Sequence, residues 1–301
     1  MKIRHQCISQ KVILSFFQKF VFSIIPKTQG YLNVLVYILC CFPRHLQFAN
    51  VEITCGKKIY YSTLDLRDKY QLDIAVKNKN DIFIPWLISK VLKKNDVFFD
   101  IGANCGWYAR LVKTFSLKKH KTFSFEPNSE AFAFLRKNNI PDFLPIPLAV
   151  SCRTNYVMEG KLKRFRQNSG THFYFSKDDS TKYIVHKTNA SSITVDKICE
   201  LINAFPRIIK IDVEGAEYEV ICGAKNSLHN VTALFIEVNQ SHYEKQLLVK
   251  KHLHSLLKSK GFNFSYHIDC KNNTITANTK NELPFGDVLL TKEKISINAQ
   301  S

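Results

Sequence analysis

Acids that close short apolar runs are the residues here with the clearest chemical promise. One stretch reads Asp96-Val-Phe-Phe-Asp100-Ile-Gly102-Ala-Asn104-Cys-Gly106-Trp-Tyr, and about a hundred residues later another reads Ile208-Ile-Lys-Ile-Asp212-Val-Glu214-Gly215-Ala-Glu217. Each passes from a buried-type run through an acid and a glycine into helix-like sequence. That is the pattern of a parallel strand whose carboxyl end opens into a ligand crevice. In the first stretch, glycines at 102 and 106 permit a tight turn whose backbone can approach a ligand. Glu126 ends the next apolar run, where a carboxylate can accept hydrogen bonds from ribose hydroxyls. The combination suits an adenosine cofactor. It does not suit a dinucleotide, which asks for G-x-G-x-x-G around a pyrophosphate that Asp100 would repel. A cofactor with a cationic amino-acid end fits, and S-adenosylmethionine, with its ammonium and sulfonium, is the natural candidate. The candidate cofactor residues are Asp100, Gly102, Asn104, Gly106 and Glu126.

The second stretch is the candidate chemical half. If the strand runs on, Asp212 and Glu214 point to one side. Glu217 falls in the first turn of the next helix, where the helix dipole favours negative charge. Such a group can act as a general base or bind a hard divalent cation through oxygen. The plainer alternative is that Glu214 and Glu217 cap the helix and pair with Lys210. Asp212 is the first candidate base. His242, just past the strand that ends at Glu237, is the second. The candidate catalytic residues are therefore Asp212, Glu214 and His242.

Regular alternation positions these groups. Strands are expected at Val97–Ile101, Lys121–Glu126, Phe143–Val150, Arg207–Val213, Val231–Val238, Phe262–Ile268 and Asp287–Leu290. Helices are expected at Cys105–Thr114, Ser129–Asn138, Ala216–Leu228 and Gln246–Lys260. Strand-helix alternation implies a mostly parallel α/β sheet with right-handed crossovers. The rhythm breaks over residues 152–192. That polar, basic and aromatic insertion is read as short antiparallel strands and loops, and it contains Lys161-Leu-Lys163-Arg164-Phe-Arg166 and Gly170-Thr-His172-Phe-Tyr174. An insertion beside a crevice is where substrate choice would sit.

Residues 1–93 read as an N-terminal helical and hairpin extension, and 94–301 as the main domain. In the extension, Val12–Ile25 and Tyr31–Phe42 are apolar but shorter than the roughly 20 residues a spanning helix needs. They are expected to dock on the main domain as a helix pair. The accompanying Lys2, Arg4, Lys11 and Lys19 keep peripheral membrane contact through residues 1–45 as an alternative.

With 43 Lys and Arg against 25 Asp and Glu, the formal charge is +18. This admits an anionic acceptor, although a Lys-, Asn- and Ile-rich composition has a simpler origin in base composition. Nine scattered cysteines without a CxxC argue for reduced thiols and a cytoplasmic, at most membrane-associated, protein.

Taken together, Asp100-Ile-Gly-Ala-Asn-Cys-Gly106, Phe125-Glu126-Pro127, Ile193-Thr-Val-Asp196, Ile209-Lys-Ile-Asp212-Val-Glu-Gly-Ala-Glu217, Cys222-Gly223-Ala224 and Leu234-Phe-Ile-Glu237 resemble the FkbM-type methyltransferases. The resemblance covers about residues 94–290. It implies a class I, SAM-dependent, Rossmann-like fold with a seven-stranded, mostly parallel sheet. It further implies methylation of a hydroxyl on a sugar, glycan, lipid-linked sugar or secondary metabolite. The family's cofactor turn falls on Asp100, Gly102, Asn104 and Gly106, its ribose-binding acid on Glu126 and its strand-four carboxylate on Asp212. Where nucleic-acid and protein amino-methylases carry Asn/Asp-Pro-Pro-aromatic, this chain has Asp212-Val-Glu-Gly. It also lacks the nucleophilic cysteine of carbon-5 RNA methylases. A small-molecule or glycan acceptor is thus expected rather than nucleic acid. A divalent metal is admitted, since it could replace the base by lowering the hydroxyl pKa. The rival readings are an RNA-modifying methyltransferase, motivated by charge, and a non-catalytic, membrane-associated binding module that keeps the fold.

Overall fold

Alternate residues of each central strand enter different cores, which explains why these strands read as unbroken apolar runs. In the computed structural model, Val97, Phe99 and Ile101 pack in one cluster while Phe98 packs in the other. Ile209 and Ile211 likewise oppose Ile208, and Leu234 and Ile236 oppose Phe235. A sheet buried on both faces needs apolar side chains at every position. The structure describes residues 2–4, 8–24, 31–55, 57–77, 82–116, 118–137, 141–162, 172–174, 186–240 and 246–295.

Across the main sheet the strands run Lys2–Arg4, Thr274–Ala277, Phe264–Asp269, Gly286–Thr291, Ala233–Val238, Ile208–Ile211, Val97–Ile101, Lys121–Phe125 and Phe143–Ile146. Neighbours from Ala233–Val238 to Phe143–Ile146 are all parallel. Gly286–Thr291 is antiparallel to both of its neighbours. The mostly parallel α/β sheet is as expected, but seven strands is a correction: Thr274–Ala277 adds an eighth and the three-residue Lys2–Arg4 a ninth. The extra pair covers what would otherwise be the open edge of Phe264–Asp269. Thr274-Ile-Thr-Ala is too short and too polar in its surroundings to have announced itself.

The helices stop where local chemistry tells them to. Asn128 caps Ser129–Leu135, its side chain accepting from the N–H groups of Glu130 and Ala131. Thr194 caps Val195–Ile202 through the Lys197 N–H, and Asn203 closes that helix in the left-handed region at φ 48°. The helix expected over 216–228 is two pieces, Glu217–Cys222 and a 3₁₀ turn at Ser227–His229.

The N-terminal part is less helical than expected. Ile8–Ile13, Phe48–Cys55 and Lys58–Asp65 form an antiparallel three-stranded sheet, into which the helices Phe16–Ile24 and Tyr31–Cys40 are inserted. The hairpin was legible; its third strand, Ile8–Ile13, was not, because only its last two residues fall in the apolar run read as helix. Val21, Leu35, Leu39, Val51 and Ile53 share one hydrophobic cluster with Phe98 and Trp107 of the main sheet and its first helix. The helix pair therefore docks on the main domain by its inward face. Among the described residues no helix is long and apolar enough to cross a membrane.

The insertion does hold short antiparallel strands. Val157–Leu162 pairs with His172–Tyr174 and His186–Ile193, and Ala149–Val150 joins the same sheet. Lys163, Arg164, Arg166 and Gly170 lie outside the described residues.

Candidate functional site

Sheet register builds the site. Lys210 stands opposite Asp100, and Asp100 stands opposite Ser124, so three polar side chains cross the sheet in one row on one face. All three are buried, Asp100 completely. Lys210 Nζ lies 3.4 Å from Asp100 Oδ1 and 3.3 Å from Asp212 Oδ2, and it donates to the Gly102 carbonyl at 3.2 Å. It also stands 4.8 Å from the centre of the Tyr108 ring. One buried ammonium thus ties the two strand ends together.

The electrostatics of this triad are lopsided. Burial would lower the Lys210 pKa, but the two carboxylates outweigh it and the net shift is upward. Asp100 goes the other way for a carboxylate: burial raises its pKa against the pull of Lys210. The asymmetry follows from the partners among the described residues, where Lys210 has two counter-charges and Asp100 shares the one it has. Asp212 is the member that reaches solvent, with 31% of its side chain exposed. The Asp100 side chain therefore meets the chain's own ammonium rather than an open pocket.

The turn after Asp100 is held by its glycines. Gly102 and Gly106 have φ of 75° and 79°, and Asn104 has φ 50°. A β-carbon on Gly102 would fall on the Asp212 carbonyl oxygen. The close approach foreseen for Gly102 is thus to the neighbouring strand end, not to a ligand. Asn104 donates its backbone N–H to Glu126 Oε2 at 2.8 Å, and Asn128 does the same to Oε1 at 2.8 Å. Each Glu126 oxygen keeps a further lone pair, which is what a ribose diol needs. The Asn104 side-chain oxygen is buried and, among the described residues, has no hydrogen-bond partner. An adenosine cofactor of the S-adenosylmethionine type fits these groups, and Glu126 and the 102–106 turn could hold it. Cys105 is buried and its thiol pKa is pushed well up by burial, consistent with packing alone.

Burial raises Glu126 to about 7, against the lowering effect of the Asn128 and Asn104 N–H groups. A prediction follows for cofactor affinity. Ribose hydroxyls need the ionised form, so the competent fraction at pH 6 is about a tenth and apparent affinity drops about tenfold from pH 8 to pH 6. Titration calorimetry with S-adenosylmethionine across this range is expected to record that loss in the native protein and a flat profile in Glu126→Gln. The sign for the unliganded protein is opposite: a carboxyl raised on folding makes the native state hold the extra proton, so stability falls as pH rises from about 4 to 7.

The second strand end departs from expectation. The strand stops at Ile211, and Glu214 adopts φ 55°, so Asp212 and Glu214 are not related by strand alternation. Glu214 accepts instead from Asn239 Nδ2 at 3.4 Å. Glu217 is fully buried and accepts from the Gly215 N–H at 2.9 Å, ordering the turn into its own helix. His242 lies outside the described residues. Sequence reasoning did not single out Lys210 or Glu237 as site residues. Glu237 is the penultimate residue of the strand beside Asp212, and its pKa is raised to about 9, first by the charge of Asp212 and then by burial. An acid at the end of an apolar run, as at Asp100 and Asp212, was the available signal. Among the described residues no three His, Cys, Asp or Glu side chains could together hold a metal ion. Cys40, Cys41, Cys105, Cys152, Cys199, Cys222 and Cys270 are free thiols.

With that geometry in view, the chain can be set beside known proteins. A family model, the methyltransferase FkbM domain, matches residues 100–264, which is over half of the chain. The hexuronic acid methyltransferase AglP of Haloferax volcanii is 28% identical over 163 residues, covering 51% of this chain and 60% of AglP. Among solved structures, the methyltransferase FkbM from Methylobacillus flagellatus KT overlays with a TM-score of 0.42 at 14% identity, covering 75% of this chain and 54% of that one. A precorrin-6y C5,15-methyltransferase from Geobacter metallireducens overlays with a TM-score of 0.38 at 11% identity, covering 71% and 88%. The chain thus spans less than two thirds of the length of AglP and of the Methylobacillus protein.

Proposed function

Because the chain belongs to the FkbM methyltransferase domain family, we propose that it is a SAM-dependent O-methyltransferase acting on a hydroxyl of a sugar or glycan, free or lipid-linked. The observation that carries this reading is the pairing of two strand ends. Glu126, with a lone pair to spare on each oxygen, sits on one side of Asp100, and the part-exposed carboxylate of Asp212 sits on the other. AglP acts on hexuronic acid by its name, which supports a uronic-acid-bearing glycan as the acceptor class. The chain's charge of +18 agrees with an anionic glycan around the reacting hydroxyl.

The bound cofactor would supply an electrophilic methyl group on a sulfonium. The chain's residues do the rest. Glu126 accepts the ribose hydroxyls, and the turn through Gly102 and Gly106 orders the backbone beneath them. Asp212 takes the proton of the acceptor hydroxyl as its oxygen meets the methyl carbon, a general-base role made efficient by proximity. Lys210, with its Nζ 3.3 Å from Oδ2, holds the Asp212 carboxylate in place.

Incubation of the protein with methyl-labelled SAM and cell fractions is the direct test. Label is expected in glycan or lipid-linked sugar. Label in RNA instead, retained at low salt, would replace this reading with RNA modification. A calorimetric titration without SAM binding would remove methyl transfer altogether and favour a binding module.

A further inference from the structure

We propose that the cavity between the helix Leu247–Ser259 and the segment 276–285 is a second binding site, away from the strand ends, which takes the oxyanion of an acidic sugar residue with Lys250 as its counter-charge. The oxyanion is a carboxylate or a phosphate. Binding there stands by itself; the use of the site as a subsite for the acceptor glycan rests on the methyltransferase reading.

Lys250 is the residue that asks for a ligand. It lies in the first turn of its helix, and only 8% of it is exposed. Its Nζ stands 3.6 Å from the centre of the Phe285 ring. Among the described residues it has no carboxylate within ion-pairing distance and no hydrogen-bond acceptor. A buried ammonium without a counter-charge is costly. The face of a ring offsets part of that cost, and a hydrogen-bonded oxyanion offsets more. Lys210, equally buried, shows the ordinary solution in this fold, with two carboxylates beside it. Lys250 lacks that solution and lines open space instead.

The space is built to hold something. Its volume is about 530 Å³, within the usual range of small-molecule sites. His267 and Thr276, register partners on neighbouring strands, both line it. The opposite wall is pinned by Asn278, whose Nδ2 donates to Ser265 Oγ at 3.1 Å and to the Glu282 carbonyl at 2.7 Å. Its Oδ1 accepts from the Lys280 N–H at 3.1 Å, and Leu283 anchors the same segment in the core. Lys280 brings a second ammonium to the lining and Glu282 a single carboxylate, so positive charge prevails. A bare inorganic ion would use the ammonium groups alone. A sugar acid uses the rest as well: its hydroxyls can meet Thr276, Thr279 and Glu282, and its apolar face can meet Pro284.

The cavity also lies within reach of the reacting end. Gly286, which follows Phe285, stands opposite Val238 on the next strand. That strand lies beside the one leading to Asp212. Two strand spacings, about 10 Å, thus separate the cavity rim from the candidate base. One glycan chain can cover that span, with an acidic residue at Lys250 and the hydroxyl of a neighbouring residue at Asp212.

Equilibrium dialysis against glucuronate, glucose 1-phosphate and glucose tests the site without any methyl transfer. At least one of the two anionic sugars is expected to bind about tenfold or more tighter than glucose, the gain of one charge-assisted contact. The tighter of the two identifies the oxyanion. Lys250→Met should remove the preference and leave SAM affinity unchanged. It should also be at least as stable as the native protein in urea, because it deletes an unpaired buried charge. Equal binding of all three sugars, or an unmoved preference in Lys250→Met, would overturn the site. So would a clear loss of stability in that variant, which would make Lys250 a structural partner of Phe285. Should Lys250→Met not fold, loss of the preference in the exposed Lys280→Gln supports the site and its persistence there overturns it. For the subsite, Lys250→Met is expected to raise KM for an acidic glycan about tenfold with kcat unchanged; a fall in kcat alone would overturn that role. Anionic sugar bound by a native protein that transfers no methyl would count against the methyltransferase reading and leave the site standing.

Discussion

Asp212→Asn is expected to bind SAM as the native protein does and to lose methyl transfer by about 10²- to 10⁴-fold, the usual contribution of a positioned general base. That is about 3–5 kcal/mol of transition-state stabilisation. The substitution keeps size and keeps an oxygen for Lys210 to approach, so the 3.3 Å contact and the turn around it should persist. Only the basic lone pair is lost. Paired measurements of calorimetric affinity and label incorporation separate the two effects. A fall in affinity equal to the fall in turnover would place Asp212 in cofactor holding instead. Some turnover should remain, because Glu237 is relieved of its main source of pKa elevation when Asp212 becomes neutral. Asp212→Asn combined with Glu237→Gln is expected to remove that residue of activity. Unchanged turnover in the single variant would take Asp212 out of the mechanism.

How much of this was readable beforehand depends on how each residue came to its place. Asp100 and Glu126 were legible because they end apolar runs, and an acid at a buried strand end has few purposes. Asp212 was legible for the same reason. Glu214 was misplaced because strand alternation was carried past Ile211, whereas the chain turns there and Glu214 takes a left-handed conformation at φ 55°. Gly102 was rightly singled out for its backbone, yet what approaches it is the Asp212 carbonyl, a long-range contact that no local pattern records. Lys210 was read only as a partner for Glu214 and Glu217. Of its two carboxylate partners, Asp212 is two residues away, whereas Asp100 is fixed by register between strands more than a hundred residues apart. The extra strands at the sheet edge escaped because short segments with polar neighbours gain their structure from the edge they cover.

Lys210→Met should show what that register contact is worth. Methionine keeps the length and apolar stem but leaves Asp100, fully buried, without its counter-charge. Removing one partner of a buried ion pair costs about 3–5 kcal/mol, because the remaining charge is stranded in a low-dielectric interior. Urea unfolding at pH 7 is expected to record a loss of that size. The pH dependence identifies the cause. Asp100 already has a raised pKa from burial, and without Lys210 the lowering influence disappears, so its folded pKa rises further above the unfolded value. The folded variant then takes up a proton that the unfolded chain does not. Its stability relative to the native protein should recover as pH falls from 7 toward 4. Asp100→Asn added to Lys210→Met should restore much of the loss at pH 7, since no uncompensated charge is left and the two changes share one contact. Equal costs for Lys210→Met alone and in the Asp100→Asn background would mean that Lys210 supports the fold through Tyr108 and the Gly102 carbonyl rather than through its charge. A recovery confined to the double variant would instead make the buried ammonium the electrostatic link between the cofactor turn and the reacting carboxylate.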